Sequence, residues 1–467
     1  MKKFHIVRVL ALFIVAGLIV TGAVAGAAEG PTPFASRVRN LIANLIPAST
    51  ANAAVHVRAT GERVTLHMAE RQTPYLHLSS DAEAVPAEYV TGTGLEELAS
   101  GTRAHALASA DFDQDGVPDL VGGYESARGG VVTLQRGNVD AIYPNSPEAR
   151  ERRARGEFTD APFQAKAGAF IVPEAADFVG AGDFDADGHW DIVSARNGGD
   201  KLYWLRGDGH GGFAEPMIIS LPGAITSLVT GEMNRADGLT DVAVGIVTKD
   251  GARVLVFESP EGALRGAPET FPLPAAASAL AFGQLDDDRT PDLAIASGNE
   301  VIIIHGQDRE LSSDAGQRTD VKPAEVSRTV LDSPVLSVVV GDFVGDSRQE
   351  LAALTADGSV RVFERQSETT KTTNDASATA FRANETMTLT LDVAGAGTSP
   401  RRLLAAKVSA LPKDDLLVLG GTNEVEIVTT RNPDVFDKSA KLATTGSAPM
   451  SVAASLTSDS EVAAVLP

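Results

Sequence analysis

Gly182-Asp-Phe-Asp-Ala-Asp-Gly-His-Trp-Asp-Ile192 is the stretch on which the reading of this chain turns. Counted from Asp183 as position 1, carboxylates stand at positions 1, 3, 5 and 9 and a glycine at position 6. The loop is flanked by short apolar runs. Beyond it Ile192-Val-Ser-Ala195 reads as a strand, Lys201-Leu-Tyr-Trp-Leu-Arg206 alternates with period two, and Gly207–Gly212 is a turn. Met217–Leu221 and Ala224–Val229 follow as further strands and lead into another acidic loop.

That phrase recurs. Full copies are Asp111–Asp119 and Asp183–Asp191. A third, Gly231-Glu-Met-Asn-Arg-Ala-Asp-Gly-Leu-Thr-Asp-Val242, has one extra residue, and a fourth is Gly283-Gln-Leu-Asp-Asp-Asp-Arg-Thr-Pro-Asp-Leu293. A fifth, Gly341-Asp-Phe-Val-Gly-Asp-Ser-Arg-Gln-Glu-Leu351, has Val344 at position 3, and worn copies lie around Val408–Leu416 and Ser455–Val462. The starts are roughly 50 to 70 residues apart, a spacing that marks a repeat architecture. Four short strands per unit point to an all-β fold, a seven-bladed β-propeller of four-stranded blades with Asp-rich calcium loops. Polar stretches Gln307–Arg328 and Glu364–Pro400 read as exposed loops that lengthen units four and five. The last unit lacks strands, and Ala54–Arg58 and Arg63–Met68 precede the first loop unmatched. Pairing the two ends in one shared blade would close the ring and remove its edges.

Composition agrees with a turn-rich β protein. The 467 residues include 44 Gly and 24 Pro, with aromatics at only 5%. A net charge of −22 argues against nucleic acid as a partner. There is no cysteine, so disulfides, Cys-ligated zinc and thiol catalysis are excluded. Lys2, Lys3 and Arg8 precede an apolar run from Val9 to about Ala28 that ends in Ala23-Val24-Ala25 or Ala25-Gly26-Ala27. Residues 1–28 therefore read as a signal peptide for export to the periplasm, cell surface or medium, 29–54 as a linker and 55–467 as the propeller. An uncleaved membrane anchor is the alternative for the first segment.

The acidic loops suit calcium, a hard cation that takes ~6–8 oxygen ligands. Asp111, Asp113, Asp115 and Asp119 form one expected site, with the carbonyl of Val117. Asp183, Asp185, Asp187 and Asp191 form another, with that of His189. Gly116 and Gly188 supply the turn. Asn234, Asp237 and Asp241, with Glu232 first, offer a weaker third set, and Asp286, Asp288 and Asp292, with Gln284 first, a weaker fourth. An EF-hand begins the same way but needs Glu at position 12 and flanking helices, where this chain has Gly122 or Ser194 and strands.

These loops resemble the FG-GAP/VCBS repeat family, the propeller modules also found in integrin α-subunits. Gly182–Val193, followed by Leu205-Arg-Gly-Asp-Gly-His-Gly-Gly-Phe213, is close to the bacterial form, and Phe282-Gly283 is a partial trace of the FG element. The resemblance implies seven blades, calcium between blade strands and recognition surfaces on the ring faces. The sequence contains no nucleophile elbow, no His-Glu-x-x-His site and no phosphate loop, and its eight histidines are scattered. The expected function is a secreted, calcium-stabilised adhesion or ligand-binding module for an extracellular protein or polysaccharide. A calcium-dependent polysaccharide lyase or hydrolase is the alternative, with Trp190, Tyr203 and Trp204 as sugar platforms, although Trp204 shares a strand face with Leu202 and reads as core.

Overall fold

In a computed structural model of the chain, the described residues are 55–56, 65–68, 74–77, 88–94, 102–159, 161–234, 238–307, 324–365, 381–390, 402–407, 411, 413–419, 424–432 and 435–443. The chain divides into two units, Met1–Ala53 and Ala54–Pro467, and all described residues belong to the second. The signal and linker segments, and the worn copy at Ser455–Val462, lie outside them.

Strands β1 (Val55–His56), β2 (Thr65–Met68) and β3 (Pro74–His77) form a three-stranded antiparallel sheet. Next comes β4 (Glu88–Thr91), then β5 (Arg103–Ala110), β6 (Asp119–Ser126), β7 (Gly129–Gly137) and β8 (Phe163–Val172), which meander antiparallel. The same four-strand meander recurs as β9 (Phe178–Gly182), β10 (Asp191–Ala195), β11 (Lys201–Leu205) and β12 (Met217–Ser220). The third is β13 (Ala224–Gly231), β14 (Asp241–Thr248), β15 (Gly251–Phe257) and β16 (Glu269–Leu273). The fourth is β17 (Ala277–Gly283), β18 (Asp292–Ser297), β19 (Glu300–Ile304) and β20 (Val326–Val330). The fifth comprises β21 (Val335–Gly341), β22 (Glu350–Thr355), β23 (Ser359–Arg365) and β24 (Phe381–Thr390), and the sixth β25 (Arg402–Ala406), β26 (Asp415–Leu419), β27 (Glu424–Asn432) and β28 (Val435–Ala443).

Successive sheets meet along their first strands, β5 on β9, β9 on β13, β13 on β17, β17 on β21 and β21 on β25. Each interface between neighbours holds its own apolar core. The first draws Val121, Val132 and Leu134 from one sheet and Ile192, Tyr203 and Leu205 from the next. The second draws Val193, Leu202 and Trp204 against Val242, Val244 and Leu255. Three more cores link the third to sixth sheets in the same way. A strand can serve two cores because its side chains alternate between faces, so Tyr203 and Leu205 look one way while Leu202 and Trp204 look the other. A blade with neighbours on both sides is thus buried on both faces, which is the packing of a β-propeller.

Three features differ from the sequence reading. Glu364–Pro400 is not all loop, because β24 lies within it and completes the fifth sheet; β20 likewise begins inside Gln307–Arg328. The first blade carries a helical insertion between β7 and β8, α1 (Val139–Ile142) and α2 (Pro147–Arg155). Ser146 caps α2 by accepting from the Ala149 N–H, Pro147 starts it, and Gly156 ends it at φ 75°. Finally, β4 adds to β8 in parallel and makes the first blade five-stranded. The N-terminal strands do pair with one another, in β1–β3, while the C-terminal strand expected to join them lies outside the described residues.

Position 2 of each of the first five acidic loops plugs into these cores. Phe112, Phe184, Met233, Leu285 and Phe343 are all buried. Phe184 is 0% exposed. Phe184→Ala should therefore lower unfolding stability in urea by about 3–5 kcal/mol. Met217→Ala, on an edge strand and 49% exposed, should change it by less than about 0.5 kcal/mol.

Candidate metal centres

The first five acidic loops each join the first and second strands of their blades and so gather at one end of the sheets. The first two loops share a backbone. Gln114 and Ala186 take φ of 56° and 58°, and Gly116 and Gly188 take 85° and 84°. The glycines were legible in the sequence. The left-handed Gln114 and Ala186, which cost a side chain about 1 kcal/mol, were not.

Local hydrogen bonds set the carboxylates. Asp111 accepts from the N–H groups of Asp115 (3.0 Å) and Gly116 (2.9 Å), and Asp183 from those of Asp187 (3.2 Å) and Gly188 (2.9 Å). Asp115 and Asp187 accept from the N–H two residues on, Val117 and His189, both at 2.9 Å. One oxygen each from Asp111, Asp113 and Asp115 lies within 4.8 Å of the others, and the same holds for Asp183, Asp185 and Asp191. Asp119 and Asp187 do not join these sets. Val117 and His189 occupy the expected seventh positions, with His189 Nδ1 3.2 Å from Gln114 Nε2 of the neighbouring loop.

Position 9 has a structural task. Asp119 accepts from Phe112 N–H (3.0 Å) and Gly137 N–H (2.7 Å), fastening the loop's start to the end of the third strand. Asp191 does the same with Phe184 (3.3 Å) and Gly207 (2.8 Å), and also accepts from Trp204 Nε1 (2.9 Å). Asp292 binds Leu285 and Gly306 N–H at 2.8 and 2.7 Å. Asp241 accepts from Met233 N–H at 2.8 Å, and Glu350 from Phe343 N–H at 2.9 Å. Burial pushes the carboxyls of Asp119, Asp191 and Glu350 up against the pull of the N–H donors. Asp119 and Glu350 rise to about 7 and Asp191 to about 6.

Position 3 meets charge from outside its loop. Arg136, the residue before Gly137, pairs with Asp113. Arg206, before Gly207, lies 2.6 Å from Asp185, and Arg265 of the next blade donates to the same oxygen at 2.8 Å. Asp185 Oδ1 is buried and accepts no hydrogen bond among the described residues. In the third loop Asn234 donates to Glu258 at 2.5 Å, Asp241 closes the loop and Asp237 lies outside the described residues. In the fourth, Asp286 and Asp292 come together with His305, while Asp288 accepts from the Thr290 N–H and hydroxyl, both at 2.7 Å. Hydrogen bonding to Asp286 and Asp292 holds the His305 imidazole up at about 10. The sequence reading missed Arg136, Arg206, Arg265 and His305. A signal was present, since each of the four directly precedes a glycine, but none is near its acid in sequence.

Residues 183–235, which hold the second loop and the strands that follow it, match the family model of FG-GAP-like repeats. This segment is similar to an FG-GAP-like repeat. No curated protein matches the chain. Among solved structures, the chain is similar to BBS1N in its complex with ARL6DN, at 13% identity over 72% of this chain and 81% of that one, with a TM-score of 0.42. It is also similar to Chaetomium thermophilum polycomb repressive complex 2, at 11% identity over 71% and 67%, with a TM-score of 0.43. The FG-GAP-like repeat places its acidic loop, its latch aspartate and Trp204 in one unit. Trp204 is buried core, as its strand face suggests.

Burial of the closing carboxylate has a pH signature at Glu350, whose ordinary value is 4.5 and whose folded value is about 7. A carboxyl raised on folding adds stability while protonated in both states and loses it as pH rises from 4.5 through about 7. Glu350→Gln cannot ionise. The melting temperature should therefore fall more for the wild type than for Glu350→Gln between pH 5 and pH 8, and parallel curves would show that burial of this carboxyl is not the cause.

Proposed function

We propose that the chain is an exported, calcium-stabilised propeller that serves as an adhesion or ligand-binding module for a protein or polysaccharide outside the cytoplasm. The observation that carries the calcium reading is Asp185. Its side chain is 0% exposed, its Oδ1 lacks a hydrogen-bond partner among the described residues, and the residue belongs to the cluster with Asp183 and Asp191. A buried acceptor left without a partner costs about 1–3 kcal/mol, and a bound cation removes that cost. The donor set is oxygen only, which fits a hard ion.

In the second loop Asp183, Asp185 and Asp191 would hold the ion, and in the first Asp111, Asp113 and Asp115. Calcium there supplies charge neutralisation and a cross-link across the loop. Arg206 and Arg265 on Asp185, and Arg136 on Asp113, share the work of balancing the acids. The FG-GAP-like repeat supports the binding-module reading, since propellers of this kind expose loops on both faces for recognition. The basic, apolar N-terminal segment supports export.

A ligand that binds only the folded state stabilises it by about 2.7 kcal/mol at ~100 times its Kd. Chelator should lower the melting temperature, and calcium in excess of the chelator should restore it. Magnesium should restore less, because it keeps its octahedral water shell. Asp111→Ala with Asp183→Ala should remove most of the response. A wild-type melting temperature that ignores both chelator and calcium would contradict the calcium reading.

A further inference from the structure

The fourth loop departs from the first two at the places that matter for a metal. Its first position is Gln284, which is neutral, and Asp288 is spent on its own turn with Thr290. The partner of position 3 also changes. Before the closing glycines, Arg136 precedes Gly137 and Arg206 precedes Gly207, but His305 precedes Gly306. A guanidinium can only donate hydrogen bonds, whereas an imidazole nitrogen can also coordinate a metal.

We propose that Asp286, Asp292 and His305 form a site for a single divalent d-block cation of the zinc class, bound through His305 Nδ1 and one oxygen from each aspartate. Distances favour it. His305 Nδ1 lies 3.1 Å from Asp286 Oδ2 and 3.7 Å from Asp292 Oδ1. Zinc–ligand bonds of ~2.0–2.2 Å in a tetrahedron put neighbouring ligand atoms about 3.4 Å apart, between those two values. The three ligand atoms all lie within 4.8 Å of one another.

The surroundings are those of a held ligand set. His305 Nε2 is 2.8 Å from the Ser327 hydroxyl on β20, a contact that fixes the ring with Nδ1 toward the acids. Asp292, fully buried, is fixed by the N–H groups of Leu285 and Gly306. One nitrogen and two carboxylates leave a fourth tetrahedral position open. Calcium is the poorer fit, because it takes ~6–8 oxygens and no imidazole.

This site is independent of the calcium reading, which rests on the first two loops. The test uses the full chain, stripped of metal and then held at pH 8 in excess calcium, with Co²⁺ as the probe. Tetrahedral cobalt absorbs strongly in the visible, and calcium does not displace it from a nitrogen-containing site. The wild type should take up one Co²⁺ with that absorption. His305→Gln should abolish it, Asp286→Asn and Ser327→Ala should each weaken uptake by about tenfold or more, and His210→Gln, on an exposed turn, should leave it intact. If His305→Gln fails to fold, Asp286→Asn and Ser327→Ala decide. No stoichiometric uptake by the wild type, or uptake that survives in folded His305→Gln or is unchanged in both other variants, would overturn the site whatever calcium does to the melting temperature.

Discussion

One buried carboxylate per blade carries the geometry of this protein. The residue that closes each acidic loop is Asp119, Asp191, Asp241, Asp292, Glu350 or Asp415, and each is at most 4% exposed. In five of these blades it accepts from the N–H of position 2, and in three it also accepts from a glycine at the end of the third strand or two residues beyond it. Those donors are loop and strand-end groups that point at the carboxylate. Left unpaired beneath the blade, they would cost about 1–3 kcal/mol each. The carboxylate turns that cost into a fixed point for three segments, and the position-2 side chain is thereby aimed into the core. Core and loop are therefore one construction.

Once the closing acid is committed to the backbone, the remaining loop acids are free for other work. They crowd one place, and the chain answers with different counter-charges in different blades. Blade one uses Arg136, blade two Arg206 and Arg265, and blade four His305. In blade three the roles are exchanged, with Asn234 donating to Glu258. The third-strand end is thus a variable partner to an equally variable position 3, around an invariant latch. That division explains how a repeat can lose metal-type residues in blade five, where Val344 stands at position 3, without losing its fold.

Much of this was legible. The acidic loops mark the blade boundaries because Asp and Gly at fixed spacing leave few backbone choices, and alternation in Lys201–Leu205 assigns Trp204 to the core correctly. Gly116 and Gly188 adopt the positive φ expected of them. What escaped the sequence was non-local. Arg265 is 80 residues from Asp185, and no local pattern joins them. His305 looked like one scattered histidine because its partners belong to a loop that precedes it by two strands. β24 was hidden in a polar, Thr-rich stretch whose pairing with β23 is settled by the sheet, not by its own hydrophobicity. The helix Pro147–Arg155 did carry its signals, Ser146, Pro147 and Gly156, but the repeat it interrupts gives no place for it. The closing aspartates read only as ligands of equal rank with the others, since spacing alone does not show that they also accept from loop amides.

The central claim is that the closing carboxylates hold loop amides as firmly as the cores hold side chains. Native-state hydrogen exchange at single-residue resolution tests it most directly, at the amides of Phe112, Phe184, Leu285, Gly137, Gly207 and Gly306. These lie in or beside turns, yet they should exchange with protection comparable to the central strands β10 and β18. Exchange as fast as that of the amides of Ala127 and Lys249, on exposed turns, would contradict the account.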